Sequence, residues 1–468
     1  MIMSAQFEHN RNQLKVKCKS RGAQARRWSK IALCSMLLAF ISGCASYGIV
    51  QNKPRNDTDT AVPYSAKTWS TNKQAEDFVF ILAFSGGGTR AAAMAYGVLQ
   101  ELRDTPIVID GKQERLLDKV THISSVSGGS FTAAYYGLHG DKTFETFESE
   151  FLRKDIEGHL TRSLLRPSHW FGSKGRTERA IDYYNEAIFH NATFADMIQP
   201  TRPMIIINAS DLAYGVRFSF IQEYFNLLCS DLRSFPVARA VAASSAVPVV
   251  FNPVVIENYE GCNGIQLKSH TAELAKQNEE FSQILKGLQS YSDKENRKYV
   301  HFVDGGITDN MGLRAMTDVV AISGGVGAMI SKIHREVPRH IVFLSVNAST
   351  EHISDMDKTT EQPSMLDAMN AVTDVQLHRY NAATVDKAKE SLDTWTTRMS
   401  TPEHPITGHF IQISFDDTPQ LELKLFLNKI PTSFSLTNEQ VDTLISSARS
   451  MLRANPEFQQ LLADLARL

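Results

Sequence analysis

Cysteine is scarce in this sequence, with five in 468 residues, and three of them (Cys18, Cys34 and Cys44) fall in the first 44 positions. No Cys-x-x-Cys pair and no His-Glu-x-x-His spacing occurs, so no recognised zinc motif is present and neither a metal nor another cofactor is expected. No Gly-Lys-Ser/Thr follows the glycine run at 86–88, which excludes a phosphate-binding P-loop. Internal repeats are absent. The apolar stretch Ile31 to Ile41 is too short to span a bilayer comfortably. A strong net charge is missing too, at −2, but the balance hides a segregation. Residues 1–43 hold eight basic side chains and one acid, and the remainder carries about −9. Such a body is a poor partner for nucleic acid, whose binding depends on phosphate neutralisation. With 43% hydrophobic and 21% charged residues, the chain can bury a sizeable core.

The N-terminal order is a basic run ending at Lys30, an apolar segment, then Ile41-Ser42-Gly43-Cys44. It resembles a bacterial lipoprotein signal. Residues 1–43 would be the signal peptide and Cys44 the lipidated residue. Ala45 suits sorting to the outer membrane, so the expected location is the bacterial cell envelope, lipid-anchored. The alternative is an ordinary Cys44 behind an uncleaved anchor. In an oxidising compartment Cys229 and Cys262 can pair or remain separate buried thiols. Closing that loop would add about 4 kcal/mol.

Residues 44–76 are polar and turn-rich and read as a tether. The folded region, 77–430, opens with the apolar run Phe78–Phe84, as expected of a strand covered on both faces. Further strands are expected at Val120–Val126, Met204–Asn208, Phe218–Gln222, Tyr299–Val303, His340–Val346 and Phe410–Ser414, with helical patterns between most of them. This alternation predicts an α/β layer fold with a largely parallel sheet. Residues 270–298 read as a helical insertion. Residues 431–468 read as a C-terminal helical extension packed on the domain, its last helix starting at the capping box Thr437-Asn-Glu-Gln440. Trp170 and Phe171, among basic residues, suit either a membrane-interfacial loop or packing under the core.

Three segments follow strand-like runs, which would bring them to one sheet edge. Ser85-Gly86-Gly87-Gly88-Thr89-Arg90 can turn backbone N–H groups into a cavity, making an anion or oxyanion site at a helix N-terminus. It also matches a dinucleotide fingerprint through Gly86, Gly88 and Ala91, with Asp110 placed for a ribose. Ser125-Val-Ser127-Gly128-Gly129 has a nucleophile-elbow pattern in which the first glycine is serine, with Gly128 N–H available to an oxyanion. Taken by itself it could be a glycine-rich turn with an N-cap serine. Asp304-Gly305-Gly306 could equally cap a turn. As a set, the three describe a nucleophile, its base and an oxyanion hole, whereas the dinucleotide reading leaves Ser127 and Asp304 without a role.

These motifs resemble those of the patatin-like phospholipases, over roughly Asp77 to Ile430. Two further blocks agree: Ala243-Ser-Ser-Ala-Val-Pro248 with Phe251 and Pro253, and Asn208-Ala-Ser-Asp-Leu212 followed by Phe218-Ser-Phe220. The resemblance implies a three-layer α/β fold with a central, mostly parallel sheet flanked by helices. It also implies a Ser–Asp dyad without histidine: Ser127 as nucleophile, Asp304 as general base, and Gly86, Gly87 and Gly88 as oxyanion donors. The implied activity is hydrolysis of membrane lipid esters through an acyl-enzyme; no protein partner is implied. The chain departs from the family pattern at Ser125 and Ala91. Arg90 could orient a phosphate head group or serve a structural ion pair. A Ser–His–Asp esterase stays open, with His334, His340, His378, His404 and His409 downstream of Asp304. So does a catalytically silent envelope lipoprotein that binds lipid or a partner.

Overall fold

The computed structural model describes residues 48–467 apart from 57, 72–76, 110, 165–173, 200, 249, 263–268, 333–335 and 352–359. The leader with Cys44, Asp110, the Trp170–Phe171 segment and His334 lie outside the described residues.

The run Phe78–Phe84 (β2) is a strand in which six of seven residues are buried, and Met204–Asp211 (β4) is buried at every position. Successive strand residues face opposite sides, so uniform burial means that both faces of the sheet are covered. The other strands used below are Lys53–Pro54 (β1), His122–Val126 (β3), Val216–Ser219 (β5), Ser230–Asp231 (β6), Val254–Glu257 (β7), Tyr299–Val303 (β8), His340–Val346 (β9) and Thr407–Ile413 (β10), and Pro106–Ile109 pairs with Lys112–Arg115 in a separate hairpin. The main sheet runs β10-β9-β2-β3-β4-β8-β7, with β5 paired to β4. Its first five strands are parallel, and β8, β7 and β5 join antiparallel. This is an α/β fold on a central, mostly parallel sheet flanked by helices.

The helices used below are Gly88–Asp104 (α1), Gly128–His139 (α2), Arg176–Ala187 (α3), Val237–Ser244 (α4), Ser269–Gln277 (α5), Glu279–Gln289 (α6), Gly306–Asp309 (α7), Arg314–Ser323 (α8), Met365–Met399 (α9), Leu421–Lys429 (α10), Asn438–Ala454 (α11) and Pro456–Leu465 (α12). Helices α5 and α6 occupy the stretch expected to be a helical insertion, and α6 docks through Phe281, Leu285 and Leu288. Helix α11 starts at the Thr437 capping box and buries Val441, Leu444 and Ile445. It lies so close to α1 that the Ile445 carbonyl oxygen would stand 2.6 Å from a methyl group at Gly97.

The expected tether is corrected over its described part. Strand β1 pairs with β6, Asn52 bonds the Glu257 backbone, and Tyr64 and Trp69 are buried. Tyr64 Oη both donates to the Ile205 carbonyl and accepts from the Ile205 N–H. The segment's overall polarity concealed these two aromatic anchors, which bury large apolar surfaces while their polar atoms find backbone partners.

Candidate active site

At the end of β3 the chain enters α2 through Ser127, whose backbone has φ 50° and ψ −120°. A non-glycine residue with positive φ is strained by about 1–3 kcal/mol and needs surroundings that hold it. The turn aims Ser127 at the base of α2, and its neighbour Gly128 touches the first turn of α1. A methyl group on Gly128 would lie 1.9 Å from the Gly88 carbonyl oxygen. Two helix N-termini therefore converge beside Ser127, each a source of partial positive charge.

Ser127 Oγ donates a 2.8 Å hydrogen bond to Asp304 Oδ2, and both residues are buried. Asp304 reaches this place by a route that a parallel sheet does not suggest. Strand β8 runs antiparallel to β4 with Val303 opposite Ser210, while Val126 stands opposite Asn208 in the parallel pair β3–β4. The base strand thus enters from the opposite end and stops within two residues of the Ser127 level. Ser210 Oγ donates to the Asp304 carbonyl at 2.8 Å and secures that stop. Gly306 N–H donates to Asp304 Oδ1 at 2.7 Å, leaving Oδ2 for the serine. Burial pushes the Asp304 carboxyl up from 3.8 to about 6, opposed by the hydrogen bonds from Gly306 and Ser127. A carboxylate so raised is a stronger proton acceptor than an exposed one.

The glycine loop divides into two parts. Gly86 N–H donates to the Asn310 carbonyl at 3.0 Å, so Gly86 is corrected from oxyanion donor to anchor. Its missing side chain still matters, because a methyl group there would press on Asn310 Oδ1 at 2.6 Å and on Ser127 Cβ at 3.3 Å. The N–H groups of Gly87, Gly88 and Gly128 have no acceptor among the described residues. A serine hydroxyl bonded to a carboxylate, next to free backbone donors at two helix N-termini, can attack a carbonyl, transfer its proton and hold the resulting oxyanion.

Arg90 is buried and bonded to the chain around the glycine loop. Its guanidinium donates to the carbonyls of Ala348 (2.9 Å) and Ile430 (2.5 Å) and to Thr432 Oγ1 (3.0 Å). These bonds clamp the strap 430–433 over the glycine loop, where Thr89 N–H donates to the Ser433 carbonyl at 2.9 Å. Cys229 and Cys262 are joined in a disulfide, with Cα atoms 5.4 Å apart.

Three of the described histidines downstream of Asp304 have partners elsewhere. His340 stacks on Phe78 at the start of β9, His404 bonds the Val337 carbonyl, and His409 faces Glu457 and Asp464 of α12. His378 lies on α9. Among the described residues no group of three or more His, Cys, Asp or Glu is placed to hold a metal ion. Sequence reasoning assigned no role to Asn310 or Ser244, which both touch the site. Ser244 lies in a motif block that could have pointed to it, whereas nothing in the pattern marks Asn310.

The family model for patatin-like phospholipase matches residues 82–317. No curated protein matches the chain. Among solved structures, a human GIVD cytosolic phospholipase A2 is similar at 14% identity over 83% of this chain, with a TM-score of 0.43. This chain covers 62% of that protein's length. A structure of the human protein with methyl gamma-linolenyl fluorophosphonate matches at 12% identity over 90% of this chain and 69% of the other, with a TM-score of 0.39. The type III effector protein ExoU matches at 14% identity over 83% of this chain and 75% of its own, with a TM-score of 0.23.

Proposed function

The chain belongs to the patatin-like phospholipase family, and from that premise we propose that it is a serine acyl hydrolase cleaving membrane lipid esters through a Ser–Asp dyad. The observation that carries this reading is the 2.8 Å bond from Ser127 Oγ to a buried carboxylate whose other oxygen is fixed by Gly306. Ser127 Oγ attacks the ester carbonyl carbon as Asp304 accepts its proton. The tetrahedral oxyanion is held by the N–H groups of Gly87, Gly88 and Gly128 and by the dipoles of α1 and α2. As the intermediate collapses, the alcohol leaves with the proton from Asp304, and the acyl group stays on Ser127. Asp304 then takes a proton from water, which attacks the acyl ester; as the second intermediate collapses, Asp304 returns that proton to Ser127 Oγ and the carboxylic acid leaves.

Exposed apolar side chains next to the dyad support a lipid substrate. Val247 and Val250 follow the segment whose Ala246 carbonyl bonds Asp304 N–H, and Ile307 lies three residues beyond Asp304. A fluorophosphonate serine probe tests the assignment, with Ser127→Ala and Asp304→Asn as controls. Labelling of wild type but not of Ser127→Ala is expected, and labelling that survives Ser127→Ala would sink it.

We read Cys44 as the lipid anchor of an envelope protein exposed to an oxidising compartment. The Cys229–Cys262 disulfide supports export. Cys44→Ser should release the protein from the membrane fraction, and persistence there would point to another attachment.

A further inference from the structure

The block Ala243–Pro248 is left without a task by the scheme above, yet its first residues touch both halves of the dyad. Ser244 closes α4 and is fully buried. Its Oγ accepts the Ser127 N–H at 2.8 Å and donates to the Asn208 carbonyl at 2.6 Å. A hydroxyl has one proton, so the 3.0 Å contact with Ser130 Oγ is donated by Ser130. On its backbone side, the Ser244 carbonyl accepts from Gly305 N–H and the Ala246 carbonyl from Asp304 N–H, both at 3.0 Å. One short segment thus grips the strained turn of the serine and the turn of the carboxylate, which are 177 residues apart in sequence. The segment is itself fixed from behind. Arg239 of α4 is buried against Glu178 of α3 at 2.6 Å.

We propose that Ser244–Ala246 is the bracket that sets the register between Ser127 and Asp304, with Ser244 as a positioning residue for the acyl-transfer step. The proposal rests on the acyl-hydrolase reading. Ser244 holds the positive-φ backbone of Ser127 through the Ser127 N–H, and this occupation keeps that N–H out of the oxyanion hole. Removing the hydroxyl leaves a buried donor and a buried acceptor unmatched and frees the serine turn to relax. The Ser127–Asp304 bond then lengthens, while the surface that binds the acyl chain is untouched. The loss accordingly falls on kcat rather than KM.

The test compares Ser244→Ala, Ser244→Thr and wild type by turnover of a short-chain nitrophenyl ester and by the rate of fluorophosphonate labelling. The number of labelled sites per chain is measured alongside, well below each Tm. Ser244→Ala should lower kcat and the labelling rate per site together by roughly 10- to 100-fold with KM within twofold. Ser244→Thr keeps the hydroxyl and should recover most of the loss. A merely structural role would reduce the number of sites with an unchanged rate per site, and that result overturns the bracket. If Ser244→Ala fails to fold, Ser244→Cys carries the comparison, since sulfur fills the space but accepts weakly; full activity in that variant also overturns the proposal. A wild type that neither labels at Ser127 nor turns over ester would instead overturn the acyl-hydrolase reading, and the bracket's catalytic role with it.

Discussion

Gly128 and Gly88 are in backbone contact: the position of a methyl group on Gly128 falls 1.9 Å from the Gly88 carbonyl oxygen and 2.7 Å from the Gly88 nitrogen. The contact joins the first turn of α2, directly after Ser127, to the loop that carries the N–H groups of Gly87 and Gly88. Gly128→Ala must therefore push backbone against backbone. We expect at least a hundredfold loss of ester turnover, measured against the labelled fraction, and a destabilisation on the order of 2 kcal/mol in denaturant unfolding. Wild-type turnover in Gly128→Ala would show that the two N-termini do not act together.

Asp304 makes activity and stability respond to pH in opposite senses. Its carboxyl is raised by burial to about 6, so kcat/KM should rise with pH through a midpoint near 6 as the base ionises. A folded-state value above the unfolded one means that the native state binds the proton more tightly. The associated stability is fully present below 3.8 and is lost as pH rises through about 6. Asp304→Asn should thus abolish turnover while raising Tm at pH 8 by a few degrees, with the gap closing toward pH 4. A Tm difference independent of pH would contradict this account.

Arg90 holds the 430–433 strap through Ile430 and Thr432, and a purely structural role makes a distinct forecast from head-group binding. Arg90→Ala leaves the carbonyls of Ala348 and Ile430 without a buried partner and should cost on the order of 3 kcal/mol. Turnover should fall equally on a phospholipid and on a neutral glyceride ester. A loss confined to the phospholipid would restore the head-group role.

The Cys229–Cys262 disulfide closes a loop with a sequence separation of 33 and ties the residue that precedes β6 to the segment that follows β7. Reduction should lower stability by about 4 kcal/mol and shift mobility between reduced and non-reduced gels. Identical migration, with both thiols open to alkylation, would reject the bond.

Much of this was legible in the sequence because short apolar runs and their punctuation carry the sheet. The bounds of β2, β8 and β9 coincide with the runs Phe78–Phe84, Tyr299–Val303 and His340–Val346, and the Thr437 capping box marks the start of α11. Other features were hidden. The run expected at Phe218–Gln222 pairs two residues earlier, as Val216–Ser219, because its register is set by β4 and not by its own composition. The direction of β8 is a tertiary choice, and apolar content does not encode it. Nor could spacing show that Gly86 N–H would be taken by Asn310, or that Ser244 would reach Ser127 across 117 residues.

Strand β8 runs against the strand beside it and so delivers the Asp304 carboxylate from the far end of the sheet. A chain folded as far as β4 holds the hydroxyl and the backbone donors but has no proton acceptor. A fragment ending there would lack the proposed general base. On the proposed dyad, hydrolytic power therefore depends on two stretches of chain 177 residues apart being assembled together, and a serine-directed label on Ser127 reads that assembly.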